Sequence, residues 1–274
     1  MNHITKFFII ALLFFTGCTT IPSLKERKNT LETIAQRDNL PISYINTTNF
    51  TLPYIISSSC QKKTMRIYIE GDGLSWISRT RISDDPTPIN PITAKLMSVD
   101  KAKCKAYLAR PCQYIQDKNC TQAYWSNRRF SLEIIQSYNQ ALDWLKTSNN
   151  IDSFVLIGYS GGGAIATLLA ATRNDVKKLV TIAGNLDTQL WTDIHNIEPL
   201  KDSLNPADFT KNLQNTQQLH LVGKNDLVMP KEVFQSYYSR FYTPENISYY
   251  ECQECTHTQG WELLWEKISY ELGN

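Results

Sequence analysis

Hydrophobic and polar positions along the chain alternate between two periods. Short apolar runs of strand character are Met65–Ile69, Ala106–Leu108, Phe154–Ile157, Leu179–Ala183, Leu219–Val222 and Ile247–Tyr250. Between them lie segments whose apolar residues recur at helical spacing. The clearest helical segment runs from Ser131 to Leu145, with Ile134, Ile135, Tyr138, Ala141, Leu142 and Leu145 on one face. Gly163–Ala171 is a second. Phe154–Ile157 is apolar at every position, as a strand covered on both faces must be. Strands alternating with helices predict an α/β fold, a mostly parallel central sheet joined by right-handed crossovers with helices on both faces.

The same pattern predicts one large domain over residues 42–274, in which the strandless stretch 185–217 reads as a cap insertion over the sheet edge. Ahead of it, residues 18–41 are polar, with Pro22 and the charged run Lys25–Lys28. Leu24, Leu31 and Ile34 make a weak helical face there, with Ser23 as its N-cap candidate. That segment reads as a tether followed by a short helix.

Composition narrows the function classes. The 28 Lys+Arg against 26 Asp+Glu leave a net charge of +2, so no excess basic field exists to attract nucleic acid. Thirty aromatic residues are ample for a packed core, and the 11 Gly and 11 Pro exclude collagenous and low-complexity classes. At the N-terminus, Lys6 precedes an apolar run from Phe7 to Phe15. That run is far short of the roughly 20 residues that span a bilayer, and it suits the apolar core of an export signal. Phe15-Thr16-Gly17-Cys18 then resembles a bacterial lipobox, with Phe15 where Leu is usual. The resemblance implies a signal peptide over residues 1–17 and a lipidated Cys18. Thr19, in place of the retention-linked Asp, implies the outer membrane of a Gram-negative cell, with the chain facing the periplasm.

Export changes how the seven cysteines are read. With Cys18 taken by lipid, Cys60, Cys104, Cys112, Cys120, Cys252 and Cys255 remain, an even set in an oxidising compartment, where disulfides are the expectation. Cys112 and Cys120 share one loop-like stretch and are the best pair. Cys252 and Cys255 form a CxxC, but no second CxxC or histidine pair accompanies it, so no metal site is expected.

The chemistry-bearing motif is Gly158-Tyr159-Ser160-Gly161-Gly162, a G-x-S-x-G between the apolar strand and the helix that follows it. Strand, sharp turn and helix are the setting in which a serine nucleophile is presented. A serine hydroxyl needs a base to take its proton. Of four histidines, His3 falls in the signal and His220 within a strand, which leaves His257, after the last predicted strand, and His195 as the alternative. The base needs a carboxylate to hold its tautomer. Asp226 follows the Leu219–Val222 strand and is favoured; Asp187, after the preceding strand, is the alternative. Tyr159, Trp76, Trp125 and Trp191 read equally as pocket walls or as core.

With Ser160, Asp226 and His257 in that order, the chain resembles the α/β-hydrolase superfamily over roughly residues 45–270. It is also similar to a group of proteobacterial lipoproteins of that fold. The residues carrying the second likeness are Glu70-Gly71-Asp72-Gly73, Asp85-Pro86-Thr87-Pro88, Arg110-Pro111-Cys112-Gln113-Tyr114, Gly158 to Gly163 and Ala183-Gly184-Asn185-Leu186-Asp187. The resemblance implies an oxyanion hole built from backbone N–H groups, one from Gly161 and one from Asp72 or Gly73, in a loop that lacks the family's usual histidine. It further implies hydrolysis of an ester, thioester or amide of a small-molecule or lipid substrate, without a cofactor. An envelope binding module on the same fold, or an acyltransferase using the same residues, are the alternatives. Oligomeric state is left open.

Overall fold

The computed structural model describes residues 21–58, 60 and 63–272. The predicted signal peptide and Cys18 lie outside the described residues. An eight-stranded sheet forms the centre. Its strands are β1 (Ser43–Asn46), β2 (Thr51–Ile56), β3 (Thr64–Ile69), β6 (Lys105–Leu108), β7 (Ser153–Tyr159), β8 (Val176–Ile182), β9 (Gln217–Gly223) and β10 (Ile247–Cys252). Two short strands, β4 (Trp76–Ser78) and β5 (Arg81–Ile82), make a separate hairpin.

The order across the sheet is β1-β2-β6-β3-β7-β8-β9-β10, parallel from β6 through β10 and antiparallel at β1 and β2. The chain leaves β3 in one direction to reach β6, then returns past β3 to β7. Crossovers diverge at that point, so a crevice opens beyond the carboxyl ends of β3 and β7, where such sheets bind ligands.

The central strands divide their side chains between two cores. Phe154 and Leu156 enter the core under α3 (Leu132–Ser148) and α4 (Gly161–Thr172). Val155, Ile157 and Tyr159 enter the one under α1 (Leu24–Arg37), α2 (Ile92–Val99) and α7 (Trp261–Ile268). Every residue of β7 is buried, which is why its Phe154–Ile157 stretch carries no polar position to mark a solvent face.

The N-terminal helix expected after Ser23 is present as α1. Ser23 caps α1 through a reciprocal capping box with Glu26, and Leu31, Ile34 and Ala35 are buried in the second core. Helix α1 is thus packed against the sheet's second core. The buried face of α1 also carries Arg27, which pairs with Asp85 at 3.3 Å and donates to the carbonyls of Asp85 and Thr87. A buried arginine breaks the apolar stripe, which is why the sequence shows only a weak helical face there.

The strandless stretch 185–217 links β8 to β9. It contains α5 (Thr188–His195) and a 3₁₀ segment, Pro206–Leu213, whose Ala207 and Leu213 belong to the first core. It is the crossover from β8 to its neighbour β9, not an insertion over an edge; the edges are β1 and β10. Helix α6 (Lys231–Tyr238) completes the set. Among the described residues no helix is long and apolar enough to cross a membrane.

Candidate active site

Ser160 sits between β7 and α4 with φ 52° and ψ −119°, a left-handed backbone costly for any residue other than glycine. The turn is held tightly. A Cβ on Gly158 would lie 2.2 Å from the Gly162 carbonyl oxygen, and one on Gly162 would lie 2.3 Å from the Ile69 oxygen. A side chain at Gly158 would push β7 off the start of α4, and one at Gly162 would push the elbow off β3. The Ser160 hydroxyl is thereby fixed at the head of the β3–β7 crevice.

His257 and Asp226 reach it in series. The Ser160 hydroxyl donates to His257 Nε2 at 3.1 Å, and His257 Nδ1–H donates to Asp226 Oδ2 at 2.9 Å. The second Asp226 oxygen accepts from the backbone N–H groups of Val228, at 2.9 Å, and Met229, at 2.8 Å. The aspartate is fully covered, so its carboxylate has no freedom to turn from the imidazole. The His257 carbonyl accepts from Tyr159 Oη at 2.8 Å and Trp261 Nε1 at 2.9 Å, which fixes the histidine loop. Backbone bonds from Lys224 to Cys252 and from Asn225 to Cys255 tie the aspartate turn to that same loop.

The alternatives lie elsewhere. His195 closes α5 and meets the Val228 carbonyl through Nε2 at 2.8 Å, beside Trp191, which donates to the same oxygen. Asp187 caps α5 and is held by Asn205, Ser236 and Arg240. His220 is buried in the sheet between Thr181 and Gln218, and burial pushes its pKa down to about 3.

The loop after β3 is where the sequence blocks of unassigned role converge. Arg110 Nη1 meets Asp72 Oδ1 at 2.6 Å and Arg129 Nη1 meets Asp72 Oδ2 at 2.8 Å, both arginines being buried. Burial alone would raise the Asp72 pKa; the Arg129 and Arg110 guanidiniums outweigh it and hold the carboxyl below its ordinary value. Gln113 donates to the Gly71 carbonyl at 2.9 Å and accepts from the Arg110 N–H at 3.0 Å. Tyr114 N–H donates to Thr87 Oγ1 at 2.7 Å. Gly73 has φ +66°, and a Cβ there would strike the Pro86 oxygen.

Glu70 accepts from Gly71 N–H and Thr93 Oγ1, and burial raises its pKa to about 7. On the facing side, a Cβ on Gly161 would lie 2.1 Å from Asp72 Oδ1. Only glycine after Ser160 leaves room for the clamped carboxylate. Asp72 is thus more than a turn residue: its side chain locks the loop whose backbone faces Ser160. Arg129 was invisible to motif reading, because a loop arginine pattern does not reveal that it folds inward.

A cleft of about 480 Å³ opens over Ser160 and His257. Tyr159, Trp76 and Trp191 line it with Ile89 and Met229, together with Arg129 and Asn185. Trp125 belongs to the core instead, donating to the Ser83 carbonyl. A larger cavity of about 700 Å³ lies at the opposite end of the strands, lined by Thr64, Lys101 and Lys178, and contains none of the residues around Ser160.

All six remaining cysteines are paired: Cys60–Cys104, Cys112–Cys120 and Cys252–Cys255. The second staples the loop carrying Gln113, and the third joins β10 to the histidine loop.

A sequence model of the alpha/beta hydrolase fold family matches residues 106–226. No curated protein matches the chain. Among solved structures, an alpha-beta serine hydrolase homologue from Coxiella burnetii superposes with TM-score 0.59 at 15% identity, over 85% of this chain and 97% of that one. Est1E from Butyrivibrio proteoclasticus gives 0.60 at 14% identity, over 84% and 96%. The Pyrococcus furiosus esterase Pf2001 gives 0.63 at 12%, over 88% and 92%. At these identities the likeness is one of fold, in agreement with the sheet order and crossovers described above.

Proposed function

Proceeding from an α/β-hydrolase fold, we propose that this protein is a serine hydrolase acting on an ester, thioester or amide, held at the bacterial outer membrane by lipid on Cys18 and facing the periplasm. The observation that carries the catalytic reading is the continuous hydrogen-bond series from Ser160 through His257 to Asp226 at 3.1 and 2.9 Å. Three disulfides are in keeping with an oxidising compartment. The esterases among the structural relatives lend the reading further support.

In this reading Ser160 Oγ attacks the substrate carbonyl while its proton passes to His257 Nε2. Asp226 holds the Nδ1–H tautomer and stabilises the imidazolium. The carbonyl oxygen becomes an oxyanion that the backbone N–H groups of Gly161 and Asp72 receive. Collapse breaks the bond to the leaving group, which departs with the Nε2 proton and leaves an acyl-Ser160. A water, deprotonated by His257, attacks that ester; Ser160 recovers its proton and the acid is released.

The clamp on Asp72 gives the loop its rigidity without the family's histidine. Such preorganised donors need no rearrangement as charge develops. The test is turnover of p-nitrophenyl esters of increasing chain length, beside an aminopeptidase panel. Hydrolysis by the wild type that is lost in Ser160→Ala is expected. Hydrolysis that survives in Ser160→Ala assigns the wrong nucleophile, and no turnover of any member favours a binding module.

A further inference from the structure

Among the described residues, several exposed apolar side chains gather at one opening, while others such as Leu132 and Leu263 stand on α3 and α7. Ile89 and Val228 are 43% and 45% exposed and line the cleft mouth with Trp76, which is 41% exposed. Leu227, next to Val228, is 85% exposed, and Ile194 on α5 is 42% exposed. Trp191 and His195 bind the Val228 carbonyl, and Arg79 Nη2 meets the His195 carbonyl at 3.4 Å. The β4–β5 hairpin, α5 and the 226–229 segment therefore form one rim around the cleft. Large apolar side chains left in water around an opening mark a surface that meets something apolar.

The chain enters the fold at this same end. Arg27, in the first turns of α1, is bound to Asp85 and Thr87, and Pro88 and Ile89 of the cleft follow directly. Ile21, the first described residue, is 43% exposed. Cys18 is three residues upstream, and at about 3.6 Å per extended residue it lies within about 11 Å of Ile21. A lipid on Cys18 would hold this end, and not the opposite end of the sheet, against the bilayer.

We propose that the rim of Trp76, Ile89, Ile194, Leu227 and Val228 docks on the phospholipid surface that anchors the chain, so that the cleft opens onto the membrane and takes acyl esters presented there. The proposal rests on the lipid anchor at Cys18 and on the hydrolase reading of Ser160. Two signals together, acyl chains and a partly inserted apolar rim, give firm and oriented binding where either alone would leave the protein free to swing. Arg79 and Arg81 flank the hairpin turn beside Trp76, at the depth of lipid phosphates.

The test uses the full-length lipidated protein reconstituted into phosphatidylethanolamine–phosphatidylglycerol vesicles with brominated acyl chains, which quench only tryptophans that reach the hydrocarbon. Wild-type quenching is expected, lost in Trp76→Phe and kept in Trp144→Phe, whose tryptophan lies on α3 beside Tyr54. Quenching that persists in Trp76→Phe, that depends on Trp144, or that is absent altogether overturns the orientation. In the same vesicles, the double variant Leu227→Ser, Ile194→Ser is expected to hydrolyse a bilayer-embedded diacyl ester about tenfold more slowly while hydrolysing a water-soluble short-chain ester at the wild-type rate. Equal loss on both substrates also overturns it. A failure of the anchor reading appears separately, as absence of palmitate labelling at Cys18. A failure of the hydrolase reading appears as no turnover of either ester while the quenching pattern stands.

Discussion

Replacing Gly161 with alanine sets two effects against each other, and the structure decides between them. Helix propensity alone favours Gly161→Ala, by at most about 1 kcal/mol at the first position of α4. The added Cβ, however, would lie 2.1 Å from Asp72 Oδ1 and 2.5 Å from its Cγ. Relief needs a displacement of more than about 1 Å, since ordinary contact begins near 3.4 Å. The carboxylate has nowhere to go, because Arg110 and Arg129 hold both its oxygens and are themselves only 4% and 5% exposed. Leaving the two buried arginines without their carboxylate costs about 3–5 kcal/mol, so the net expectation is a loss of about 2–4 kcal/mol.

For a domain of this size that lowers Tm by roughly 5–15 °C. Displacing the loop would also disturb the N–H groups of Gly161 and Asp72 proposed to receive the oxyanion, and one such donor is worth about 10²–10³ in rate, so kcat/KM should fall at least about 100-fold. Calorimetry and ester kinetics on purified Gly161→Ala read both quantities. A double-mutant cycle isolates the cause: with Asp72→Ala in place, Gly161→Ala should cost little more. A Gly161→Ala protein with unchanged or raised Tm and kcat/KM within about threefold of wild type would refute the clamp as the feature that fixes this loop.

Three further outcomes follow from the geometry. Asp226→Asn keeps the shape of the site but favours the wrong imidazole tautomer, and kcat should fall by about 10⁴ with Tm nearly unchanged; a loss under tenfold would detach Asp226 from the reaction. Glu70 has a folded pKa of about 7 against an ordinary 4.5, so the folded state binds the extra proton between those values. Its contribution is full below the lower value and lost as pH rises through the higher. Urea unfolding should therefore show wild type losing stability relative to Glu70→Gln from about pH 5 to about pH 8, and a flat difference would contradict this. Opening the Cys112–Cys120 bridge by the double alanine variant should cost about 2–3 kcal/mol, from its short loop, and should lower kcat through Gln113, which holds the Gly71 carbonyl. Equal kcat in the variant would show that Gln113 keeps its place without the bridge.

What could be read from the sequence follows from which forces leave a local trace. Strands β3, β7, β8 and β9 are apolar because they are buried, and the nucleophile turn is legible because a sharp strand-to-helix turn requires its glycines. Strand β2 escaped because Pro53 interrupts it, and proline is tolerated only near the margin of a sheet, where β2 pairs antiparallel with β1 and β6. Helix α1 leaves only a weak apolar face in the sequence because its buried side includes Arg27. Ser160, Asp226 and His257 could be proposed from residue type and position after strands, since few side chains perform that chemistry. The Asp72 clamp could not: its arginines lie 38 and 57 residues away, and two loop arginines folded inward resemble solvated charge until a structure joins them to one carboxylate.

The central claim is that Ser160 is an activated nucleophile. Treating the wild-type protein with a fluorophosphonate and mapping the adduct by peptide mass spectrometry tests it most directly. A single phosphonylated residue, Ser160, is expected, with labelling abolished in Ser160→Ala and strongly slowed in His257→Gln. An adduct on any other residue, or an unlabelled wild-type protein that is folded, would contradict it.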